Sequence, residues 1–166
     1  MSSRGFAGIR SVGYAFVFVG VWVWVVRAAR PFDERLAVGL PAWLAPPGLL
    51  LAGLGLLVVC SCVAAFVLEG RGTPAPFDAP REFVGAGPYR YVRNPMYLGA
   101  IAVLIGAGLA LRSASTLAVA AGFWVLAHAF VVRYEEPTLE RRFGDSYPRY
   151  RRRVNRWIPG SPSHTE

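Results

Sequence analysis

The sequence predicts an all-α fold: an integral membrane helical bundle of about four transmembrane helices, followed by short C-terminal cytoplasmic helices. Hydrophobic residues make up 54% of the 166 residues, and the mean hydropathy is +0.38. A soluble domain with 18 glycines and 13 prolines would not be this apolar. The apolar residues are concentrated in four segments, at residues 12–26, 48–68, 96–111 and 116–132.

The four segments differ in how well they fit a bilayer, whose hydrocarbon core needs about 20 helical residues. Residues 48–68 are long enough. Residues 12–26 are followed by arginines rather than by a cleavage site, so we expect a retained first helix within an N-terminal two-helix part, residues 12–69. The last two segments are short, and only residues 112–115 separate them. They predict a tight helical hairpin that either spans the membrane fully or only enters it.

The distribution of arginine predicts the orientation. All 18 basic residues are arginine, and the formal net charge is +8. Four crossings that start in the cytoplasm place 14 arginines on the cytoplasmic side and four on the other. We therefore expect a protein of a prokaryotic cytoplasmic membrane with both termini inside. Arginines beside apolar segments favour anionic lipid headgroups over nucleic acid as their partner. Cys60 and Cys62 do not have the spacing of a metal site, and no metal is expected.

The first polar block is GPYRYVRNPMYLG, residues 87–99. Asn94 is a preferred N-cap and Pro95 suits the first position of a helix, so the third membrane helix should begin here. The free N–H groups of a helix start attract carboxylate or phosphate. Tyr97 would lie on the first turn, and Gly99 would allow close approach of a ligand or a helix. The simpler interpretation is an interfacial anchor of tyrosine and arginine.

The second polar block begins with RYEEP, residues 133–137, where the fourth apolar segment ends. Adjacent carboxylates at a membrane boundary are costly unless they are paired or used. One interpretation pairs Glu135 and Glu136 with Arg133, Arg141 or Arg142 across a helical turn. The other gives at least one of the two glutamates the task of binding hydroxyl groups or a cation.

The residues after this block predict two short helices. Pro137 can open the first, which runs to Phe143 and ends at Gly144. Asp145 or Ser146 can cap a second, strongly basic helix that lies on the membrane surface. Residues 160–166 are expected to form a loose tail.

Together the two blocks, separated by a short hairpin, resemble the isoprenylcysteine carboxyl methyltransferase family, a group of membrane methyltransferases that also includes phospholipid N-methyltransferases. The resemblance covers residues 87–159. It implies S-adenosylmethionine as methyl donor, S-adenosylhomocysteine as product, and a cytoplasm-facing pocket that a lipid-linked acceptor reaches from the bilayer. By motif position, the cofactor-binding residues would be Tyr91, Arg93, Asn94, Pro95, Tyr97, Leu98, Gly99, Glu135 and Glu136.

One position departs from the family pattern, because Asn94 stands where the family usually has histidine. Asparagine cannot exchange a proton near neutral pH, so this position cannot supply a base. The sequence leaves the catalytic residue open, with Arg133, Glu136 and His128 as candidates. An ionisable residue within an apolar segment is a functional candidate, but a neutral His128 with a hydrogen bond across the bundle is the simpler alternative.

These observations predict an integral membrane methyltransferase that acts on a lipophilic acceptor. A carboxylate is the favoured acceptor, because it is already ionised and needs no base; a phospholipid amine or a thiol is the alternative. A non-catalytic scaffold or transporter subunit is the alternative from another class. A membrane reductase would need a nicotinamide site, and the chain has no G-x-G-x-x-G sequence. The sequence leaves the oligomeric state open.

Overall fold

The computed structural model describes Gly13 and residues 19–36, 39–66, 68 and 87–161. Within these ranges the elements are helical, and the β-type pairing is an isolated bridge between Gly39 and Ser113. Residues 19–29 are helical and form α1. The further helices are α2 (Pro31–Leu36), α3 (Ala45–Ala65), α4 (Pro95–Ala110), α5 (Ala114–Phe130), α6 (Glu136–Phe143) and α7 (Ser146–Arg153).

Helices α3 and α4 pack so closely that their backbones touch through glycines. A Cβ atom on Gly55 would lie 2.6 Å from the carbonyl oxygen of Gly99, and a Cβ atom on Gly106 would lie 2.5 Å from the carbonyl oxygen of Gly48. Small residues permit this approach between membrane helices, where packing rather than water exclusion drives association. The hairpin partner α5 packs on the other side of α4 through Leu104, Ala120, Phe123 and Ala127, together with residues of α1.

Helix α5 does not stop where its apolar residues end. Residues Ala114–Phe143 form one helix of 30 residues, and the turn Val131–Glu135 within it has π-helical hydrogen bonding, with the Glu136 N–H bonded to the Val131 carbonyl. Pro137 has no N–H to donate in the ordinary helical pattern, and the wider turn accommodates it. The sequence correctly predicted helical residues up to Phe143 and a helix end at Gly144, where φ is +51°, but the prediction that Pro137 opens a new helix is wrong, because the helix continues from α5. The uninterrupted join to α5 was not predicted.

The far end of the hairpin is held by α2. Ser113 caps α5 by accepting a hydrogen bond from the Thr116 N–H. The Asp33 carboxylate of α2 accepts hydrogen bonds from the Ser113 hydroxyl at 2.6 Å and from the Ser115 N–H at 2.8 Å. The tight turn expected at residues 112–115 is therefore confirmed, and α2 is bonded to it.

Two helices among the described residues are long and apolar enough to cross a membrane, Ala42–Ala65 and Ala114–Phe143. Helix α4 has 16 residues, which at about 1.5 Å per residue is shorter than the roughly 30 Å of a hydrocarbon core. Residues 12 and 14–18 of the first predicted segment lie outside the described residues, as does the connector at 70–86. The predicted all-α fold is therefore confirmed for the described residues, with two candidate membrane-spanning helices, and the count of about four spanning helices stays a prediction.

Candidate functional site

The centre of the site is a buried carboxylate, Glu136, held by two guanidinium groups. Arg93 Nη1 lies 2.7 Å from Glu136 Oε1. Arg156 Nε lies 2.7 Å from the same oxygen, and Arg156 Nη2 lies 2.9 Å from Oε2. The side chains of Arg93 and Glu136 are only 10% and 8% exposed. The hydrogen bonds to Glu136 raise the pKa of Arg156, so this guanidinium remains charged.

The origin of these arginines corrects one sequence interpretation. Local pairing of the glutamates with Arg133, Arg141 or Arg142 is wrong for Glu136, because its partners come from the first polar block and from the C-terminal segment. The π-helical turn explains the change, since an extra residue in the turn rotates the side chains that follow it. Arg133 is exposed on this turn.

A C-terminal strap, which we define as residues 154–160, crosses the first polar block. The backbone N–H of Arg93 donates to the Asn155 carbonyl at 2.9 Å, and the Gly160 N–H donates to the Tyr91 carbonyl at 2.9 Å. Gly160, which the sequence assigned to a loose tail, is thus bonded to the block. The strap brings Arg156 to the site.

Asn94 has a different role from the one its sequence position suggested. Helix α4 does begin at Pro95 with Asn94 at the N-cap, as predicted, but the Asn94 side chain makes no capping hydrogen bond. Its Nδ2 instead donates to the Arg156 carbonyl at 3.1 Å, and the residue is buried. Asn94 therefore fastens the strap to the start of α4.

The second glutamate has a neutral partner. Tyr97 Oη on the first turn of α4 donates to Glu135 Oε2 at 2.9 Å. In the part of the chain that the structure describes, no guanidinium lies within ion-pair distance of Glu135. Next to this pair, the buried Nε of Arg93 has no hydrogen-bond partner among the described residues. The cluster thus contains a carboxylate with a neutral partner and a charged N–H group with no acceptor among the described residues.

Aromatic rings close one side of the cluster. Trp157 of the strap packs on Trp124, with ring centres 4.6 Å apart, and on Tyr97 at 6.4 Å. The Trp157 indole N–H donates to His128 Nδ1 at 3.1 Å. This bond requires an unprotonated Nδ1. His128 is exposed on α5 and binds the strap, so its hydrogen bond is not to another helix of the bundle.

Two tyrosines of α7, Tyr147 and Tyr150, lie next to the polar cluster. Burial raises the pKa of both Tyr147 and Tyr150, so each is a neutral hydroxyl near physiological pH. Tyr150 Oη donates to the Tyr89 carbonyl at 2.7 Å, which fixes α7 to the turn Gly87–Arg90. Helix α7 begins at Ser146 with Asp145 as its N-cap residue, close to the predicted start.

An apolar groove lies on the opposite side of α4. It has a volume of about 330 Å³ and runs between α3 and α4. Its lining residues are Leu51, Leu54, Gly55, Val58, Pro88, Tyr91, Val92, Pro95, Leu98, Gly99, Ala102 and Pro159.

The nine predicted cofactor residues therefore form two groups, one on each side of the start of α4. Five of them, Arg93, Asn94, Tyr97, Glu135 and Glu136, meet in the polar cluster. The other four, Tyr91, Pro95, Leu98 and Gly99, line the groove.

Sequence reasoning missed two residues of the cluster, Arg156 and Trp157. Arg156 is 20 residues from its partner Glu136, and Trp157 is 29 residues from its partner His128. The sequence holds only a weak signal for them, an arginine and a tryptophan beside the final prolines and glycine.

Helices long and apolar enough to cross a membrane, combined with a buried polar cluster at one helix start, are typical of a membrane enzyme. Residues 45–146 match the family model described as Phospholipid methyltransferase. This match covers more than half of the chain, and the chain belongs to the phospholipid methyltransferase family, within the membrane methyltransferase group that the sequence resembled. A comparison with curated proteins found no match. The chain is accordingly a membrane methyltransferase, of a family that uses a donor of the S-adenosylmethionine type.

Proposed function

We propose that the protein transfers a methyl group from S-adenosylmethionine to a lipophilic acceptor at the cytoplasmic surface of the membrane. The observation that carries this proposal is the position of α4. Its first turn has the polar cluster on one side and the apolar groove on the other. A polar donor and a greasy acceptor can thus approach the same helix start from different sides.

The residues of the polar cluster fit the proposed donor. The buried Arg93 Nε has a hydrogen bond left to donate, which suits a carboxylate. Glu135 can accept from hydroxyl groups of a ribose while Tyr97 holds its other oxygen. Glu136 keeps Arg93 and Arg156 in place, which would preserve the site between turnovers. When bound, S-adenosylmethionine supplies a methyl group on a positively charged sulfur.

A carboxylate acceptor suits the chemistry of the first polar block. An ionised carboxylate has a lone pair ready to attack the methyl carbon, and the carbon–sulfur bond breaks with its electron pair on sulfur. No proton moves, so Asn94 need not act as a base. The work of the protein is alignment and the exclusion of water. Trp157 and Trp124 would supply the apolar wall on the cluster side.

A phospholipid amine is the second candidate, and Glu135 favours it. An ammonium group must lose a proton before its nitrogen can attack. Glu135 has no guanidinium within ion-pair distance among the described residues, so it can attract a cation and accept a proton. His128 and Arg133, the other catalytic candidates, lie exposed at this end of the helix. The family match is compatible with either acceptor.

The acceptor can be identified by product analysis. Purified protein in nanodiscs would be supplied with methyl-labelled S-adenosylmethionine and, separately, with a prenylated cysteine, phosphatidylethanolamine or a long-chain thiol. A carboxylate acceptor gives a label that mild base releases as methanol, whereas N-methyl label survives base. Transfer to none of the three acceptors, while S-adenosylhomocysteine still binds, would reject these acceptor classes.

A further inference from the structure

The outer surface of α6 and α7 takes no part in the proposed reaction. Six arginines are exposed there, against two exposed acids, Glu140 and Asp145. We call the six the basic face; they are Arg141, Arg142, Arg149, Arg151, Arg152 and Arg153.

The direction of the basic face follows from the packing of α7. Tyr147 and Val154 are 2% and 3% exposed and fix the inner side of the helix. Residues 149 and 152 fall on the opposite side, because each position advances about 100° around a helix. On this surface Arg151 Nη1 lies 3.5 Å from Glu140 Oε2, and these two side chains are each nearly half exposed. Exposed ion pairs of this kind are weak, so the basic face keeps most of its positive charge.

The height of α7 relative to the membrane is set by Tyr89. This residue accepts the hydrogen bond from Tyr150 and packs against Cys62 and Ala65 at the end of α3. Its ring also lies 5.5 Å from that of Phe66. Since α3 is a spanning helix that ends at Ala65, α7 lies at the level where a bilayer changes from hydrocarbon to headgroups.

We propose that the basic face binds the headgroups of anionic phospholipids in the membrane that surrounds the protein. The charges are complementary, and arginine forms paired hydrogen bonds with phosphate. The occupant is a lipid because the face is fixed beside the ends of spanning helices, where headgroups are the concentrated source of phosphate. This inference goes beyond methyl transfer and does not require it.

The test is lipid selectivity measured by electron paramagnetic resonance. Protein is reconstituted in phosphatidylcholine, and spin-labelled phosphatidylglycerol or phosphatidylcholine reports lipid held at the protein surface. Wild-type protein should prefer phosphatidylglycerol at low salt and lose the preference at high salt. The triple variant Arg149→Gln/Arg151→Gln/Arg152→Gln should reduce the preference by on the order of fivefold or more.

The matched control removes three exposed arginines from the other end of the molecule, as Arg27→Gln/Arg30→Gln/Arg35→Gln. It should leave the preference at most slightly changed. Circular dichroism of both variants establishes that they are folded. Equal loss in the two triple variants, or wild-type selectivity in the α7 variant, would overturn the proposal and would point to another acidic partner for this face.

Discussion

Glu136 accepts three hydrogen bonds from two guanidinium groups that come from opposite ends of the polar region. Arg93 belongs to the first polar block and Arg156 to the C-terminal strap, so one carboxylate joins three parts of the chain. A buried pair of this kind is expensive to break, because removal of one partner leaves an uncompensated charge behind. Glu136 therefore has a larger structural role than its position in a short motif suggested.

The substitution Glu136→Gln tests this role. It leaves two guanidiniums facing a neutral amide, and we expect the free energy of unfolding to fall by about 3 to 5 kcal/mol. Thermal unfolding in detergent, followed by circular dichroism, measures the change. Glu140→Gln is the control, because its exposed pair with Arg151 should contribute about 1 kcal/mol or less. Equal stability of the two variants would contradict the account.

The Asp33 contacts make a prediction about acid stability. Hydrogen bonds from Ser113 and from the Ser115 backbone lower the pKa of Asp33 in the folded protein. A lowered folded pKa stabilises the fold fully above the unfolded value of about 3.9, and this stabilisation is lost as the pH falls through the folded pKa. Asp33→Asn should therefore be less stable than wild type at pH 6 to 7 and approach it near roughly pH 2 to 3.

The control for Asp33 is its neighbour Glu34, which is exposed. Unfolding temperatures of wild type, Asp33→Asn and Glu34→Gln are compared across the acid range. A constant difference between wild type and Asp33→Asn at every pH would show that the carboxylate does not contribute through its charge.

At the scale of elements, α3 and α4 are held by backbone contact rather than by large side chains. A Cβ atom on Gly106 would lie 2.5 Å from the backbone nitrogen of Ala52 and from the carbonyl oxygen of Gly48, neither of which can turn away. The pair must therefore separate if a methyl group is added there. Separation would also widen the apolar groove, which the same two helices line.

The substitution Gly106→Ala should destabilise the protein by about 1 to 3 kcal/mol, as overpacking does in other cores. The control Gly53→Ala lies in α3 with nothing within 4 Å of the added atom, and its effect should be neutral or stabilising, by up to about 1 kcal/mol, because alanine favours helix. Both are measured by thermal unfolding in detergent. A stable Gly106→Ala would mean that the helices are not in backbone contact.

Local sequence signals predicted the helices well, but the sequence did not predict the contacts between distant residues. Asn94 and Pro95 predicted the start of α4, and Gly144 predicted the end of α6, because helix-start and helix-end signals act within a turn. The π-helical turn has no such local signal. The partners of Glu136 were missed for a similar reason, since Arg93 and Arg156 are 43 and 20 residues away.

At the scale of the whole molecule, the helical hairpin is fastened at both ends. Asp33 bonds its turn at one end, and the C-terminal strap bonds the start of α4 at the other. The membrane class could be predicted because apolar composition is a property of the whole chain. The division of the predicted cofactor residues between the cluster and the groove could not be predicted, because it depends on which sides of α4 face α3 and α5.

The proposed orientation is a whole-molecule prediction that rests on the arginine distribution. In a Cys60→Ala/Cys62→Ala background, single cysteines at Arg35→Cys and Ser161→Cys report the two sides through a membrane-impermeant maleimide. Ser161→Cys should react only from the cytoplasmic side and Arg35→Cys only from the other. The reverse labelling pattern would invert the orientation, and labelling of both positions from one side would rule out an odd number of crossings between them.

The central claim is that the polar cluster binds the methyl donor, and calorimetric titration of the detergent-solubilised protein with S-adenosylhomocysteine tests it most directly. We expect one molecule bound per chain. Tyr97→Phe frees Glu135 from its hydroxyl partner and should weaken binding roughly 10-fold or more, since a hydrogen bond to a charged group contributes about 1.5 to 3 kcal/mol. A phospholipid methyltransferase family member of known activity serves as the positive control. Absence of binding to folded protein, with the control binding normally, would contradict the account.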